Sequence, residues 1–210
     1  MNDVLKAARL DLRVVTPYRK QALMMLAIAP LLGFVMRDAT TILPISVVYT
    51  AMLVSYPFSI GDRYDLTTLY GVLPVDRSRI VLGRYVFALA LFPVLAGVGL
   101  LLTIVAAPIL DATITGTDLA MLVAVSLVLF CVVVALQFPI YFWLGYTKAR
   151  LVAMLPFVAL AVVIVALAPM LEGATPPSAG VVAAGCVLGS AALLTASVLL
   201  SRRLDARRVD

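Results

Sequence analysis

The side chains able to do chemistry are concentrated in one stretch, SIGDRYDLTTLYGVLPVDRSRIVLGRY, from Ser59 to Tyr85. It carries seven of the chain's 27 charged residues: Asp62, Arg63, Asp65, Asp76, Arg77, Arg79 and Arg84. Carboxylates and guanidinium groups in this number can pair and cap helices, but a catalytic set needs more. The chain has no histidine, which removes the commonest general base and the commonest metal ligand. Cys131 and Cys186 both fall inside apolar runs, so no disulfide framework is indicated. There is no glycine-rich loop ending in Lys-Ser or Lys-Thr, so the chain lacks a phosphate loop for ATP. No catalytic residue and no metal ligand is expected. What the charged stretch can do is dock.

The elements around it must hold it in place, and they are greasy. Of 210 residues, 64% are hydrophobic and 13% charged, whereas a soluble domain is roughly half apolar. A charge at mid-bilayer costs about 2.5–3.5 kcal/mol on insertion scales, so charges mark where spans end. The uncharged runs are Gln21 to Met36, Ala39 to Gly61, Tyr85 to Leu110, Leu119 to Thr147, Leu151 to Leu171 and Gly173 to Ser201. These predict an all-α, polytopic membrane protein with six transmembrane helices, forming a single domain over residues 1–210. The first 20 residues have no apolar core of the length a cleavable signal peptide requires. The net charge of +5 reads as basic residues flanking spans, not as a nucleic-acid surface.

Orientation follows from the cations. Fifteen of the sixteen Lys and Arg residues fall on one side and only Arg37 on the other. That asymmetry predicts a multi-pass plasma-membrane protein with both termini and the charged insert in the cytoplasm. The aromatic residues of YFWLGY, Tyr141 to Tyr146, sit where the fourth span exits and suggest an interfacial belt. The outside loops, Arg37 to Thr40, Asp111 to Asp118 and Glu172 to Ser178, are too small to fold into a receptor or enzyme domain.

None of the six runs contains Asp, Glu, Lys, Arg or His. Proton-driven carriers and intramembrane proteases need such groups at depth, so both classes are disfavoured. Pro30, Pro44, Pro57, Pro93, Pro108, Pro139, Pro156 and Pro169 each remove a backbone donor and permit a bend. Gln137 is the one amide inside a span, and reads as an interhelical hydrogen bond or a point on a cargo path. GVGLLL, Gly97 to Leu102, suggests close helix packing. GCVLG, Gly185 to Gly189, has the small-xxx-small spacing, read as packing within one chain in preference to dimerisation.

Two amphipathic segments remain. In the first, over residues 1–20, Val4, Leu5, Ala8, Leu12 and Val15 share one helical face, and Lys6, Arg9 and Arg13 the opposite one. This is the pattern of a helix in the headgroup plane, ended by Pro17. Both a lipid anchor and a gate-connecting helix fit it. The second lies in the insert, residues 62–84. A helix from Asp62 to Tyr70 would align Leu66, Leu69, Tyr70 and Leu73 in one apolar stripe. Gly71 and Pro74 would then interrupt it, and Asp76 would cap a helix that runs from Arg77 into the third span. Asp62, Asp65 and Asp76 suit a protein partner better than an anionic lipid surface.

The run LYGVLPVDRSRIVLGRY, Leu69 to Tyr85, preceded by DRY, resembles the segment between spans two and three of type-2 permeases of ATP-binding-cassette (ABC) exporters, in their compact six-span branch. Leu73, Pro74, Val75, Arg77, Ile80, Val81, Arg84 and Tyr85 match its pattern. Arg79 stands where relatives often carry the Glu of a capping box, and Asp62 and Arg63 where an acidic pair is common. The resemblance implies a non-catalytic permease that pairs with a second permease chain. Each permease would dock a cytosolic ATPase that binds ATP and magnesium, while this chain holds no cofactor. The implied coupling residues are Asp62, Arg63, Tyr64, Asp65, Leu66, Leu69, Tyr70, Leu73, Pro74, Val75, Asp76, Arg77 and Arg79. The expected cargo is hydrophobic or amphipathic, peptides among the candidates, moved out of the cell. A membrane immunity or assembly factor that docks a different cytosolic partner is the alternative.

Overall fold

The computed structural model of the protein describes residues 3–64, 77–155 and 179–207. Within them every regular element is helical. The α-helices in chain order are α1 (Asp3–Val15), α2 (Arg19–Met36), α3 (Ile42–Val54), α4 (Tyr56–Arg63), α5 (Arg77–Ile109), α6 (Gly116–Leu144), α7 (Tyr146–Ala149) and α8 (Ala179–Arg207). Five helical stretches among the described residues are long and apolar enough to cross a membrane. They are Asp3–Met36, whose apolar part is α2, then Ala39–Arg63, Ser78–Ile109, Gly116–Leu144 and Gly180–Leu204. The expected fifth span, residues 151–171, lies outside the described residues beyond Leu155.

Helix ends are set by local chemistry. Pro17 sits in a 3-10 turn, Thr16–Tyr18, that separates α1 from α2, and the Thr16 hydroxyl donates to the Leu12 carbonyl at 2.7 Å. At the far end of α2, Arg37 takes the left-handed conformation (φ 54°) and the Asp38 N–H bonds back to the Gly33 carbonyl at 3.0 Å, a helix-terminating turn. Asp38 then accepts the Thr40 N–H at 2.9 Å and starts the return. Thr115 and Asp118 form a reciprocal capping box at the start of α6. The second span is interrupted at Ser55, whose hydroxyl bonds the Met52 carbonyl at 2.6 Å. Pro57, in the first turn of α4, has no N–H to continue the α3 ladder.

That interruption changes the reading of the insert. Asp62 and Arg63 form the last turn of α4, and Tyr64 is a turn residue whose N–H closes on the Ile60 carbonyl at 3.1 Å. A helix therefore does not start at Asp62. Residues 65–76, including the cap expected at Asp76, lie outside the described residues. Arg77 begins α5, whose 33 residues extend about 50 Å. A hydrocarbon core is only about 30 Å thick, so the charged beginning of α5 projects beyond it.

In lipid, apolar side chains gain little by leaving their surroundings, and close packing decides which helices meet. α8 lies along α6, and α3 packs on both α5 and α6. Gly99 lets α5 approach α3: a Cβ there would stand 2.8 Å from the Ser46 Cβ and 3.2 Å from Leu43 Cδ1. Gly97, in the same small-residue run, meets nothing among the described residues within 4 Å, and neither do Gly185 and Gly189. The expected intrachain contact of GCVLG is thus not found among the described residues. Phe130, Val134 and Phe138 of α6 fill the core against Leu43, Val47 and Val54 of α3. Tyr141 and Phe142 belong to that core at 3% and 6% exposure, while Trp143 is 58% exposed. Of YFWLGY, then, only Trp143 has the exposure of a belt residue. Tyr141 and Phe142 turn inward because Phe58 of α4 packs between them, at 5.1 and 5.0 Å.

Candidate functional site

Both described flanks of the insert are fastened to the rest of the bundle. On the entry side, the Asp62 carboxylate accepts the Thr147 backbone N–H at 2.8 Å. Thr147 is in the first turn of α7, where helix N–H groups lack intrahelical partners and attract an anion. The end of the second span is thereby tied to the exit of the fourth. Arg63 and Tyr64 follow at the surface, Tyr64 65% exposed.

On the exit side the partner is α1. Arg79 pairs with Asp3, which Lys6 also reaches at 3.4 Å. These two cations hold the Asp3 carboxyl below the usual carboxylate range. One turn on, α1 and α5 touch through their backbones. A Cβ at Gly83 would stand 2.5 Å from the Ala7 Cβ, 3.2 Å from the Val4 carbonyl oxygen and 3.3 Å from the Ala8 nitrogen. The inward face of α1 is therefore Val4, Ala7, Ala8, Asp11 and Val15, with Asp11 and Val15 buried. Leu5 and Leu12, placed on that face by periodicity, are 48% and 52% exposed.

Arg84 occupies the centre of this joint. Its guanidinium lies over the Phe58 ring, 4.1 Å from the centroid, and over the Phe142 ring at 5.5 Å, a partly buried cation-π site. Its Nε is buried without a hydrogen-bond partner. Asp11, 6% exposed, is the acid it attracts. Burial pushes the Asp11 carboxyl up to about 6, and the Arg84 charge offsets part of that rise. Four elements, α1, α4, α5 and α6, thus meet around one arginine. The elbow after α1 is also held to α4, where the Tyr18 and Tyr56 rings meet at a tilt, centroids 5.3 Å apart, and the Tyr56 hydroxyl donates to Gln21 Oε1 at 3.3 Å.

The next residue, Tyr85, extends the connection to α8. Its hydroxyl lies 2.6 Å from Ser197 Oγ and 2.8 Å from Ser201 Oγ. Ser197 gives its only proton to the Ala135 carbonyl at 2.8 Å. Proton counting then makes Tyr85 the donor to Ser197 and Ser201 the donor to Tyr85. α5, α6 and α8 are linked through one buried hydroxyl chain.

Of the residues singled out by sequence, the structure brings Asp62, Arg79 and Lys6 into these contacts. Arg9 and Arg13 lie on the exposed side of α1. Asp65, Leu66, Leu69, Tyr70, Leu73, Pro74, Val75 and Asp76 lie outside the described residues, as does the side chain of Arg77. Gln137 is 2% exposed and donates from Nε2 to the Ala153 carbonyl at 3.0 Å, across the exit of the fourth span. No sequence pattern singles out Asp11, Phe58 or Gly83 as site residues. The available signal was Asp11 itself, an acid three residues past Ala8 and four before Val15, on the apolar face of an amphipathic helix. Among the described residues, no three His, Cys, Asp or Glu side chains converge as metal ligands.

A family model described as ABC-2 family transporter protein matches residues 9–204. The chain belongs to the ABC-2 transporter family. No curated protein and no solved structure matches it. Membership makes the chain a multi-pass permease component of ABC membrane transport, in keeping with its membrane-length helices. The match begins inside α1, after the residues that meet Arg79 and Gly83, and covers Asp11, Phe58, Arg84 and Phe142, both flanks of the insert and most of α8. In this ABC-2 permease the joint around Arg84 is therefore part of the family domain.

Proposed function

We propose that this ABC-2 permease is the non-catalytic membrane subunit of an exporter that moves a hydrophobic or amphipathic cargo, such as a peptide, out of the cell. Both termini and residues 62–84 face the cytoplasm, and residues 1–210 act as one domain. ATP and magnesium bind a separate cytosolic ATPase. Two permease chains pair within surrounding lipid, and each docks one ATPase through the insert, with Leu66, Leu69, Tyr70 and Leu73 as its apolar contact.

The observation that carries this reading is the fastening of both insert flanks. A push on the insert from a soluble motor would reach α7 and α6 through Asp62, and α1, α5 and α8 through Arg79, Gly83 and Tyr85. A free loop would absorb such a push, whereas this one has rigid attachments on either side. ATPase closure can then bias the bundle between two arrangements, which is what a two-state transporter requires. The test is capture of the tagged full chain from its native membrane. A protein with a phosphate loop should co-purify, and its ATPase activity should rise in the complex. A stable complex with a cytosolic partner that lacks nucleotide-hydrolysing activity would overturn the reading.

A further inference from the structure

A second feature of the α1–α2 elbow has no role in that mechanism. Arg13, Thr16, Pro17, Arg19 and Lys20 line a surface cleft of about 530 Å³. Its three cations are exposed and make no ion pair among the described residues. The two acids of α1 are engaged elsewhere, Asp3 by Lys6 and Arg79, and Asp11 beside Arg84 on the buried face. Among the described residues no carboxylate offsets the positive charge of the cleft. Two guanidinium forks and one ammonium group suit phosphate oxygens, the guanidinium groups by paired hydrogen bonds and the lysine as a point charge.

What continues from the cleft is apolar. Lys20 is followed on the same side of α2, at steps of four, four, three and four, by Met24, Ile28, Leu31 and Val35. Their exposures are 70%, 39%, 61% and 73%. Leu23, one turn below Arg19, is 64% exposed. A charged pocket at the membrane boundary thus opens onto an unbroken apolar stripe running into the span. A free anion would use only the first part; a lipid would use both. We infer that the elbow cleft binds the phosphate headgroup of one anionic phospholipid of the cytoplasmic leaflet, with an acyl chain laid along Met24 to Val35. The site is independent of the ATPase and of the cargo.

The test uses the purified full chain in neutral detergent, titrated with phosphatidylglycerol or with phosphatidylcholine, with retained lipid counted by native mass spectrometry. The wild type should hold one phosphatidylglycerol in preference to phosphatidylcholine, and millimolar inorganic phosphate should not displace it. The variant R13Q/R19Q/K20Q should weaken retention about tenfold or more, as three lost cations predict. A charge-matched control, K148Q/R150Q/R203Q, should retain lipid normally. The single variants R13Q and R19Q should each give a several-fold loss, which keeps the test open if the triple variant folds poorly. Equal retention of both lipids, an equal loss in the control, or unchanged retention in the cleft variants would overturn the site. Displacement by inorganic phosphate would reassign it to a free anion and contradict the lipid proposal.

Discussion

Asp62 and Thr147, 85 positions apart, are joined by a 2.8 Å hydrogen bond from the Thr147 N–H to the Asp62 carboxylate. It joins the end of the second span to the end of the fourth. Replacing Asp62 with Ala removes a helix-capping acceptor worth about 1 kcal/mol. The change in thermal stability should be small and the loss in transport large, because the insert would lose its hold on α7. Asp62→Asn keeps an acceptor and should retain most transport. Melting curves and flux measured on the same preparations separate the two effects.

Gly83 and Ala7 make the closest approach between α1 and α5. With the Ala7 Cβ 2.5 Å from where a Gly83 side chain would begin, Gly83→Ala should destabilise the fold by about 1–3 kcal/mol. Ala7→Gly in the same chain should recover part of that loss. A double-mutant cycle checks this: additive losses would mean that the two helices do not meet here.

Asp11 makes a pH prediction with a definite sign. Its carboxyl is raised from 3.8 to about 6, so the folded chain binds more protons than the unfolded chain between those values. Its contribution is fully present below about 4 and is lost as pH rises through about 6. The amount is on the order of 2–3 kcal/mol, since the carboxylate is largely removed from water. Asp11→Asn should abolish this component and be at least as stable as wild type at neutral pH. Midpoints measured across pH 4.5–7 give the slope, and an unchanged slope in the variant would count against a buried Asp11.

Tyr85→Phe breaks two links at once, leaving Ser201 without its acceptor and Ser197 without its donor. A cost of about 1–3 kcal/mol is expected for buried groups left unpaired. Ser197→Ala should cost a similar amount, and the double variant less than the sum, because the hydroxyls form one chain. Unfolding of the three variants in a common detergent is the check.

Much of this architecture is legible in the residues because charges are so costly in lipid. The run Gln21 to Met36 corresponds to α2, and the basic residues after Arg77 belong to the same helix as the third span, as their uninterrupted pattern implied. The rotation of α1 is harder to read. A 3.6-residue period supports a face through Leu5 and Leu12 as well as one through Ala7 and Asp11, and only Gly83 and Arg84, more than 70 positions away, decide between them. Tyr141 and Phe142 look like interface aromatics in sequence because nothing nearby announces Phe58. The break at Ser55 comes from Pro57, one of eight span prolines whose separate effects depend on the neighbours each meets.

If the insert passes work from a soluble motor into the bundle, ATP-driven efflux from proteoliposomes containing this permease and its ATPase depends on it. The variant Tyr70→Asp/Leu73→Asp should insert and fold like wild type, yet neither stimulate ATP hydrolysis nor export cargo. Full stimulation and efflux by that variant would contradict the account.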